Sequence, residues 1–242
     1  MPGFLSMISI FPAFLLLENP ALVVIFLPVL LFSLTFHEAA HAWMAARLGD
    51  PTARLMGRLT LNPLAHLDVF GTLMLFLSNF RFGWAKPVPV DPRNFADTRR
   101  GMFLTSAAGP ASNFVLAIAC GFAVRMLIGS GFGHPAASTL VQSLGRVFGL
   151  GVIMNLSLAF FNLIPLPPLD GSKILYGIAP LRWEAGLVQL ERIGPMLLMV
   201  LIFAGFMLPF SPIWMLLGPP VSVFTYVLSG LPFGHLIALV YS

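Results

Sequence analysis

Residues 34–50, LTFHEAAHAWMAARLGD, place two histidines and a glutamate inside a long apolar run. The run covers residues 21–48 and is long enough to cross a hydrocarbon core of about 30 Å as a helix. His37 and His41 are four residues apart, so they stack on one helix face and can point at one metal ion. Glu38 lies about 100° around the helix from His37, where it can approach a water on that metal without being a ligand.

A bundle of polar residues that bind nothing is the alternative interpretation of this pattern. An acidic residue near the centre of a membrane helix costs roughly 2.5 to 3.5 kcal/mol on insertion scales. Three ionisable groups within five residues are therefore not expected without a function, and we interpret them as a metal site. Neutral imidazoles suit Zn²⁺, and the neighbouring carboxylate is placed to accept a proton from water.

The composition of the whole chain predicts a membrane protein. Of its 242 residues, 58% are hydrophobic and 9% charged, against about 25% charged residues in an ordinary globular domain. So few charges cannot form the polar surface that a soluble protein needs. The basic residues lie in short loops between apolar runs, which predicts no nucleic-acid partner. We expect a single domain over residues 1–242, embedded in a lipid bilayer.

The apolar runs predict an all-α polytopic membrane protein with about six transmembrane helices. The runs that we expect to span are residues 4–17, 21–48, 102–128, 139–165, 195–217 and 221–241. The first run is short, and prolines predict kinks or half-helices in the last two. Residues 69–82, between the second and third spans, are too few to cross. We expect a short re-entrant or β-like membrane-associated segment there.

Lysine and arginine are distributed unequally between the links. Eight of them lie in residues 47–100 and three follow residue 165, whereas the links at 18–20 and 129–138 contain none. Loops rich in these residues face the cytoplasm. We therefore expect the N-terminus and the site to face the cytoplasm. The short loops suit a bacterial inner membrane.

A catalytic zinc site normally has three protein ligands and one open position, and Asp170 is the best further candidate. It lies in NLIPLPPLDG, residues 162–171, where prolines break the helix. It could cap the following helix or complete the metal site. The runs 21–48 and 139–165 both pass from outside to inside, so Asp170 falls in the same half of the membrane as the histidines. This placement favours the metal site.

Several motifs, in order, resemble the site-2 protease family of intramembrane zinc metalloproteases. They are HEAAH in a membrane helix, AGPASN at residues 108–113 and FNLIPLPPLDG at residues 161–171. The stretches GRLTLNPLAHLD and GWAKPVPVDPRNF also resemble the compact branch of that family, which lacks a PDZ or CBS domain. The match covers most of residues 31–176. We expect a catalytic core at about 21–176, followed by C-terminal helices at about 195–241.

The resemblance implies a role for each site residue. His37, His41 and Asp170 would bind one zinc ion. Glu38 would be the general base that activates water, and Asn162 would steady the scissile carbonyl or its oxyanion through its amide.

Other polar residues receive weaker interpretations. We interpret Asn113 as a helix-packing residue, because the small residues before it allow close approach of helices. His66 is interpreted as a loop hydrogen-bonder. Residues 83–90, GWAKPVPV, either anchor at the membrane interface or, as in the family, present an extended edge to an unwound substrate.

The expected function is hydrolysis of a peptide bond in or near a transmembrane helix of a membrane-protein substrate. Such a substrate must unwind locally, because helical carbonyls are held in hydrogen bonds. A non-proteolytic metal-binding membrane protein, either a transporter or an inactive adaptor, is the alternative. Transporters usually show repeated halves with paired broken helices, and this sequence shows no such repeat. The sequence makes no prediction of the oligomeric state.

Overall fold

The computed structural model describes residues 20–78, 83–208 and 210–241, and the described chain is mainly helical. The helices are α1 Pro20–Arg47, α2 Thr52–Leu55, α3 Val69–Leu77, α4 Thr98–Gly129, α5 Thr139–Asn162, α6 Asp170–Ile178, α7 Glu184–Met207, α8 Pro212–Ser229 and α9 Phe233–Tyr241. Short 3₁₀ turns lie at Pro63–Ala65, Pro92–Asn94 and Leu181–Trp183. Within these ranges there is no β-sheet, and one antiparallel bridge joins Leu67 to Ala85.

Five described helical segments are long and apolar enough to cross a membrane. They are Leu22–Arg47, Thr98–Gly129, Thr139–Asn162, Leu181–Gly205 and Pro212–Ser229. The expected all-α membrane architecture is confirmed for the described residues. The expected first span, residues 4–17, lies outside them, so the total of six stays a prediction.

The predicted boundaries of the last two spans are wrong. We expected a break between residues 217 and 221, but α8 runs through both Pro219 and Pro220. A membrane helix tolerates proline because neighbouring helices and local adjustments satisfy the freed carbonyls. α7 also begins eleven residues before the expected start at 195, at Glu184.

The breaks in this region lie on either side of α8. Ser211 caps its start by accepting a hydrogen bond from the backbone N–H of Trp214 at 3.2 Å. Gly230 ends it with a φ of 79°, a left-handed conformation that glycine adopts without steric cost. The polar cap therefore begins α8 and the left-handed glycine ends it, whereas Pro219 and Pro220 do not interrupt it.

The segment between the first two described spans contains α3, whose nine residues extend only about 14 Å. This length agrees with the expected absence of a crossing there. Most of its apolar side chains are exposed, including Val69 at 81% and Phe70 at 72%. Asp68 caps the helix by accepting from the N–H of Gly71 at 2.8 Å. The β-like alternative is wrong for Val69–Leu77, which is helical, and the bridge between Leu67 and Ala85 lies outside residues 69–82. A re-entrant path stays a prediction.

Helix α5 lies at the centre of the bundle and packs against α1, α4, α8 and α9. Its glycines allow this close approach. A Cβ atom at Gly149 would lie 2.8 Å from a methyl of Val240, and one at Gly151 would lie 2.7 Å from the Cys120 sulfur. Small residues are the usual means of bringing membrane helices together. Because α5 is central, its C-terminal end and the α6 helix that follows lie beside residues 37–41 of α1.

Candidate metal centre

The side chains of His37, His41 and Asp170 meet between α1 and the start of α6. The two histidine Nε2 atoms are 3.0 Å apart. Each lies 3.1 Å from Oδ2 of Asp170. All three residues are buried. In the part of the chain that the structure describes, this is the only cluster of three such ligand groups.

The spacing of these three atoms fits a zinc ion. Ligands at about 2.0–2.1 Å around a tetrahedral zinc lie about 3.3 Å from one another, close to the 3.0 and 3.1 Å separations found here. Two imidazoles and one carboxylate form a known donor set for catalytic zinc. Three protein donors also leave one tetrahedral position for water or substrate. The chain thus brings together three candidate ligand groups from two distant segments.

Asp170 does not cap its own helix. It is the first residue of α6, whose capping position is Leu169, and no side-chain capping bond is made there. A Cβ atom at Gly171 would overlap the backbone carbonyls of Leu163 and Ile164. The glycine therefore lets the start of α6 fold tightly onto the end of α5, and the Asp170 carboxylate turns toward the histidines.

The far end of α6 is also fixed. One Arg99 nitrogen, Nη2, donates hydrogen bonds to the carbonyls of Tyr176 at 2.8 Å and Ala179 at 2.7 Å. The guanidinium also stacks over the Tyr176 ring at 5.0 Å. A cation at a helix C-terminus satisfies free carbonyls and complements the helix dipole. Arg99 therefore holds the short helix that carries Asp170 against α4.

The second ring nitrogen of each histidine has a partner that sets its tautomer. His41 Nδ1 donates to the backbone carbonyl of Thr105 at 2.7 Å, and His37 Nδ1 donates to Oδ1 of Asn113 at 2.6 Å. Because an oxygen acceptor requires the hydrogen on Nδ1, each Nε2 keeps a lone pair for a cation. Both rings are oriented as metal ligands require.

The interpretation of Asn113 as a helix-packing residue therefore missed its hydrogen bond to His37. It lies in α4 one turn after Gly109, where a Cβ atom would come within 2.6 Å of His37 Cε1 and would also overlap the His41 ring. The glycine makes room for the imidazoles and the asparagine holds one of them. The sequence signal was the spacing of these two residues, which places both on one helix face.

Glu38 lies beside the cluster and is half-buried. Its Oε2 accepts a hydrogen bond from the backbone N–H of Val88 at 3.0 Å. Val88 belongs to the segment 83–90, which crosses over this end of α1. The backbone contact fixes the orientation of the carboxylate next to the three clustered side chains.

The cluster opens into a cavity of about 140 Å³, which is large enough for several waters. Its polar lining includes Glu38, Asn162 and Lys173 together with the three metal-ligand candidates. Asn162 is the last residue of α5, and its amide donates to the carbonyl of Leu158 at 3.0 Å. Lys173 lies one turn after Asp170 and is one of the three basic residues that follow residue 165. The structure thus places every residue predicted for the site at one cavity.

The segment over the cavity has no free N–H group between residues 86 and 89. Lys86 N–H donates to the carbonyl of His66 at 2.8 Å, and the Val88 N–H is held by Glu38. Pro87 and Pro89 have no N–H to give. A substrate strand could therefore pair here only by donating to carbonyl groups.

His66 itself is a hydrogen-bonder, as interpreted from the sequence. It is buried, and its Nε2 donates to the carbonyl of Thr60 at 2.9 Å. The buried Arg58 lies 3.4 Å from its Nδ1 and also donates to the carbonyl of Lys86. This group anchors the beginning of the segment that crosses the cavity.

Asp50 anchors the other end of that segment. It follows α1, is fully buried, and accepts hydrogen bonds from the Thr52 N–H at 3.0 Å, the Asn94 amide at 2.7 Å and the Asp91 N–H at 2.8 Å. Burial alone would raise the pKa of Asp50, but these hydrogen bonds outweigh it, so its pKa lies below the usual value of 3.8. The ionised carboxylate joins the end of α1 to residues 91–94.

Comparison with known proteins points to one family. The model of peptidase family M50 matches residues 134–205, which include Asn162 and Asp170. A Bacillus subtilis (strain 168) protein named "Putative zinc metalloprotease YwhC" is 42% identical over 172 residues, which cover 71% of this chain and 77% of that protein.

Two mycobacterial proteins named "Putative zinc metalloprotease Rip2" are also similar. The Mycolicibacterium smegmatis protein is 30% identical and the Mycobacterium tuberculosis H37Rv protein 29% identical, each over 177 residues. The alignments cover 71% and 72% of this chain, and 64% of each relative. No solved structure matches. The chain is an integral membrane protein that belongs to the site-2 protease family of zinc metalloproteases, peptidase family M50.

Proposed function

We propose that this protein is an intramembrane endopeptidase that binds one zinc ion per chain and hydrolyses a peptide bond in or near a transmembrane helix of another protein. One observation carries the proposal. Three buried ligand atoms 3.0–3.1 Å apart and a separately held carboxylate face the same cavity at a membrane-spanning helix. The cluster offers sites for metal, water and substrate in one place.

Five polar residues at the cavity have a role in this reaction. His37, His41 and Asp170 hold the metal, and zinc, when bound, polarises the scissile carbonyl and makes water nucleophilic near neutral pH. Glu38 accepts the proton of the attacking water on its carboxylate and passes it to the leaving amine. Asn162 donates its amide to the developing charge on the carbonyl oxygen after releasing the carbonyl of Leu158.

The substrate is a transmembrane protein whose helix unwinds before attack, because helical carbonyls are otherwise hydrogen-bonded. Its unwound backbone lies along residues 83–90 and donates to the carbonyls of that segment, since the N–H groups between 86 and 89 are used or absent. The concentration of basic residues in 47–100 supports a cytoplasmic site in a bacterial inner membrane.

The test compares purified wild type with Glu38→Gln and with Glu191→Gln, a matched control at an exposed glutamate of α7. We expect all three proteins to bind one zinc per chain in detergent. Wild type and Glu191→Gln should cleave single-span substrates, and Glu38→Gln should lose at least a hundredfold in rate, as removal of a general base does.

Each contrary result has a distinct meaning. Zinc binding without cleavage of any substrate by wild type would favour the inactive adaptor or transporter. Cleavage by Glu38→Gln at the wild-type rate would remove Glu38 as the base. A wild type without zinc would overturn the metal site.

A further inference from the structure

A buried hydrogen-bond chain leads from His37 away from the cavity to α5. His37 Nδ1 lies 2.6 Å from Asn113 Oδ1, and Asn113 Nδ2 lies 2.8 Å from Asn155 Oδ1. Asn155 Nδ2 in turn donates to Ser33 Oγ and to the carbonyl of Gly151, both at 2.9 Å. Ser33 and Asn113 are 0% exposed and Asn155 is 2% exposed, so water does not compete for these bonds.

The direction of the chain is set at its far end. The carbonyl of Gly151 can only accept, so the amide nitrogen of Asn155 must face it and the amide oxygen must face Asn113. Asn113 then presents its nitrogen to Asn155 and its oxygen to His37. An oxygen at this point requires the hydrogen on His37 Nδ1 and leaves Nε2 free for a cation.

The two histidines differ in how their tautomers are secured. His41 donates to a backbone carbonyl, that of Thr105, which cannot reverse its polarity. His37 donates to a side-chain amide, which can turn over and present N–H instead. A turned Asn113 would leave the hydrogen on His37 Nε2, where a metal cannot bind. A contact at 3.4 Å from Asn113 Nδ2 to the carbonyl of Ser33 opposes this turn, but it is long for a hydrogen bond.

We propose that Asn155 is a positioning residue for metal binding, because it fixes the amide of Asn113 and thereby the metal-binding tautomer of His37. The inference rests on the zinc site proposed above and deepens it. Asn155 hydrogen-bonds to Asn113, to Ser33 on α1 and to the carbonyl of Gly151, and it does not line the cavity. Hydrogen bonds between membrane helices contribute little to folding on average, so the effect of Asn155 falls on the metal.

The experiment uses the full chain in detergent, as wild type, Asn155→Leu, Asn155→Ala and Asn155→Asp. Met154→Ala is the matched control, because Met154 is equally buried on the same helix and lies outside the chain of bonds. Zinc affinity is measured by competition with a chelator. Because His37 Nε2 also faces the Asp170 carboxylate at 3.1 Å, the readout is whether His37 Nδ1 carries a hydrogen. This is measured in the zinc-free proteins by ¹⁵N-histidine NMR, with the His37 signals assigned by their loss in His37→Gln.

We expect Asn155→Leu and Asn155→Ala to bind zinc about tenfold more weakly, the lower end of the range for groups around a metal ligand. Both should show a substantial fraction of His37 without a hydrogen on Nδ1. Asn155→Asp keeps an acceptor oxygen toward Asn113 and should restore the wild-type tautomer. Met154→Ala should lower the thermal midpoint yet leave the tautomer unchanged.

The outcomes separate this inference from the proposed function. An unchanged His37 tautomer in both Asn155→Leu and Asn155→Ala, or an equal change in Met154→Ala, overturns the positioning role. A wild type that binds no zinc overturns the proposed function, while the tautomer comparison in zinc-free protein still decides the role of Asn155. If Asn155→Leu does not fold, Asn155→Ala decides alone.

Discussion

Replacing Gly109 by alanine should weaken metal binding without unfolding the protein. Gly109 lies in the middle of α4, where alanine normally stabilises a helix by about 1 kcal/mol relative to glycine. Here the added methyl would lie within 2.6 Å of His37 Cε1 and would overlap the His41 ring. Real Cβ contacts are longer, so the imidazoles must move. The substitution is therefore unfavourable at the metal site, although helix propensity alone favours alanine.

The size of the effect follows from the crowding. An extra methyl in a packed interior costs about 1–3 kcal/mol, and the groups that must shift are the ones whose Nε2 atoms lie 3.0 Å apart. If this cost falls on the metal-bound geometry, zinc affinity drops by about 5- to 150-fold. Proteolytic activity at limiting zinc should fall in parallel.

The assay is chelator competition for zinc in detergent, together with the thermal unfolding midpoint. Gly129→Ala is the matched control, because it lies in the same helix and an added Cβ there meets nothing within 4 Å. The control should bind zinc like wild type. Equal zinc affinity in Gly109→Ala and Gly129→Ala would refute the argument that close approach of α4 shapes the ligand pair.

Three further predictions address the groups around the site. Val88→Pro removes the N–H that orients Glu38 and should lower kcat about 10- to 100-fold with unchanged zinc content. Val88→Ala keeps the N–H and should keep kcat. Equal rates in the two variants would contradict this role. Arg99→Gln loses two charge-assisted hydrogen bonds to the end of α6 and should lower the free energy of unfolding by about 1.5–3 kcal/mol. Arg100→Gln, at an exposed neighbour, should change the free energy of unfolding little. Similar thermal midpoints for both variants would contradict the role of Arg99 in holding α6. Because the pKa of Asp50 is lowered in the folded state, its stabilisation is complete above its usual pKa of 3.8 and is lost as pH falls toward the folded value. The thermal midpoint of wild type should therefore fall below about pH 4 more steeply than that of Asp50→Asn, and parallel curves would disprove the contribution.

Some features of this protein were predictable because they depend on neighbouring residues. The spacing of His37 and His41 fixes their common helix face whatever packs around them. The length and hydropathy of the runs likewise predict the spans at 21–48, 102–128 and 139–165. Predicted breaks failed at Pro219 and Pro220 because proline in a membrane helix is tolerated when neighbours satisfy its freed carbonyl, and sequence spacing does not show those neighbours.

Contacts between distant residues were harder to predict. The bond between His37 and Asn113 joins residues 76 positions apart, and the bond between Val88 and Glu38 joins residues 50 apart. Nothing in the local pattern states which side of Asn113 faces which helix. Asn155 gave no sequence signal at all, because a lone polar residue in a membrane helix has many possible partners.

The amino-acid sequence by itself determined that the chain enters a membrane and that one helix presents two imidazoles and a carboxylate together, since both follow from composition and the helical repeat. It also supplied Asp170 as a candidate, with a cap or a ligand as possible roles. Only the tertiary structure decided that Asp170 turns toward the histidines, that Asn113 sets one tautomer and that a backbone N–H holds Glu38. These choices depend on how α1, α4, α5 and α6 pack, and helix packing is settled by surface shape over the whole bundle rather than by residues adjacent in sequence.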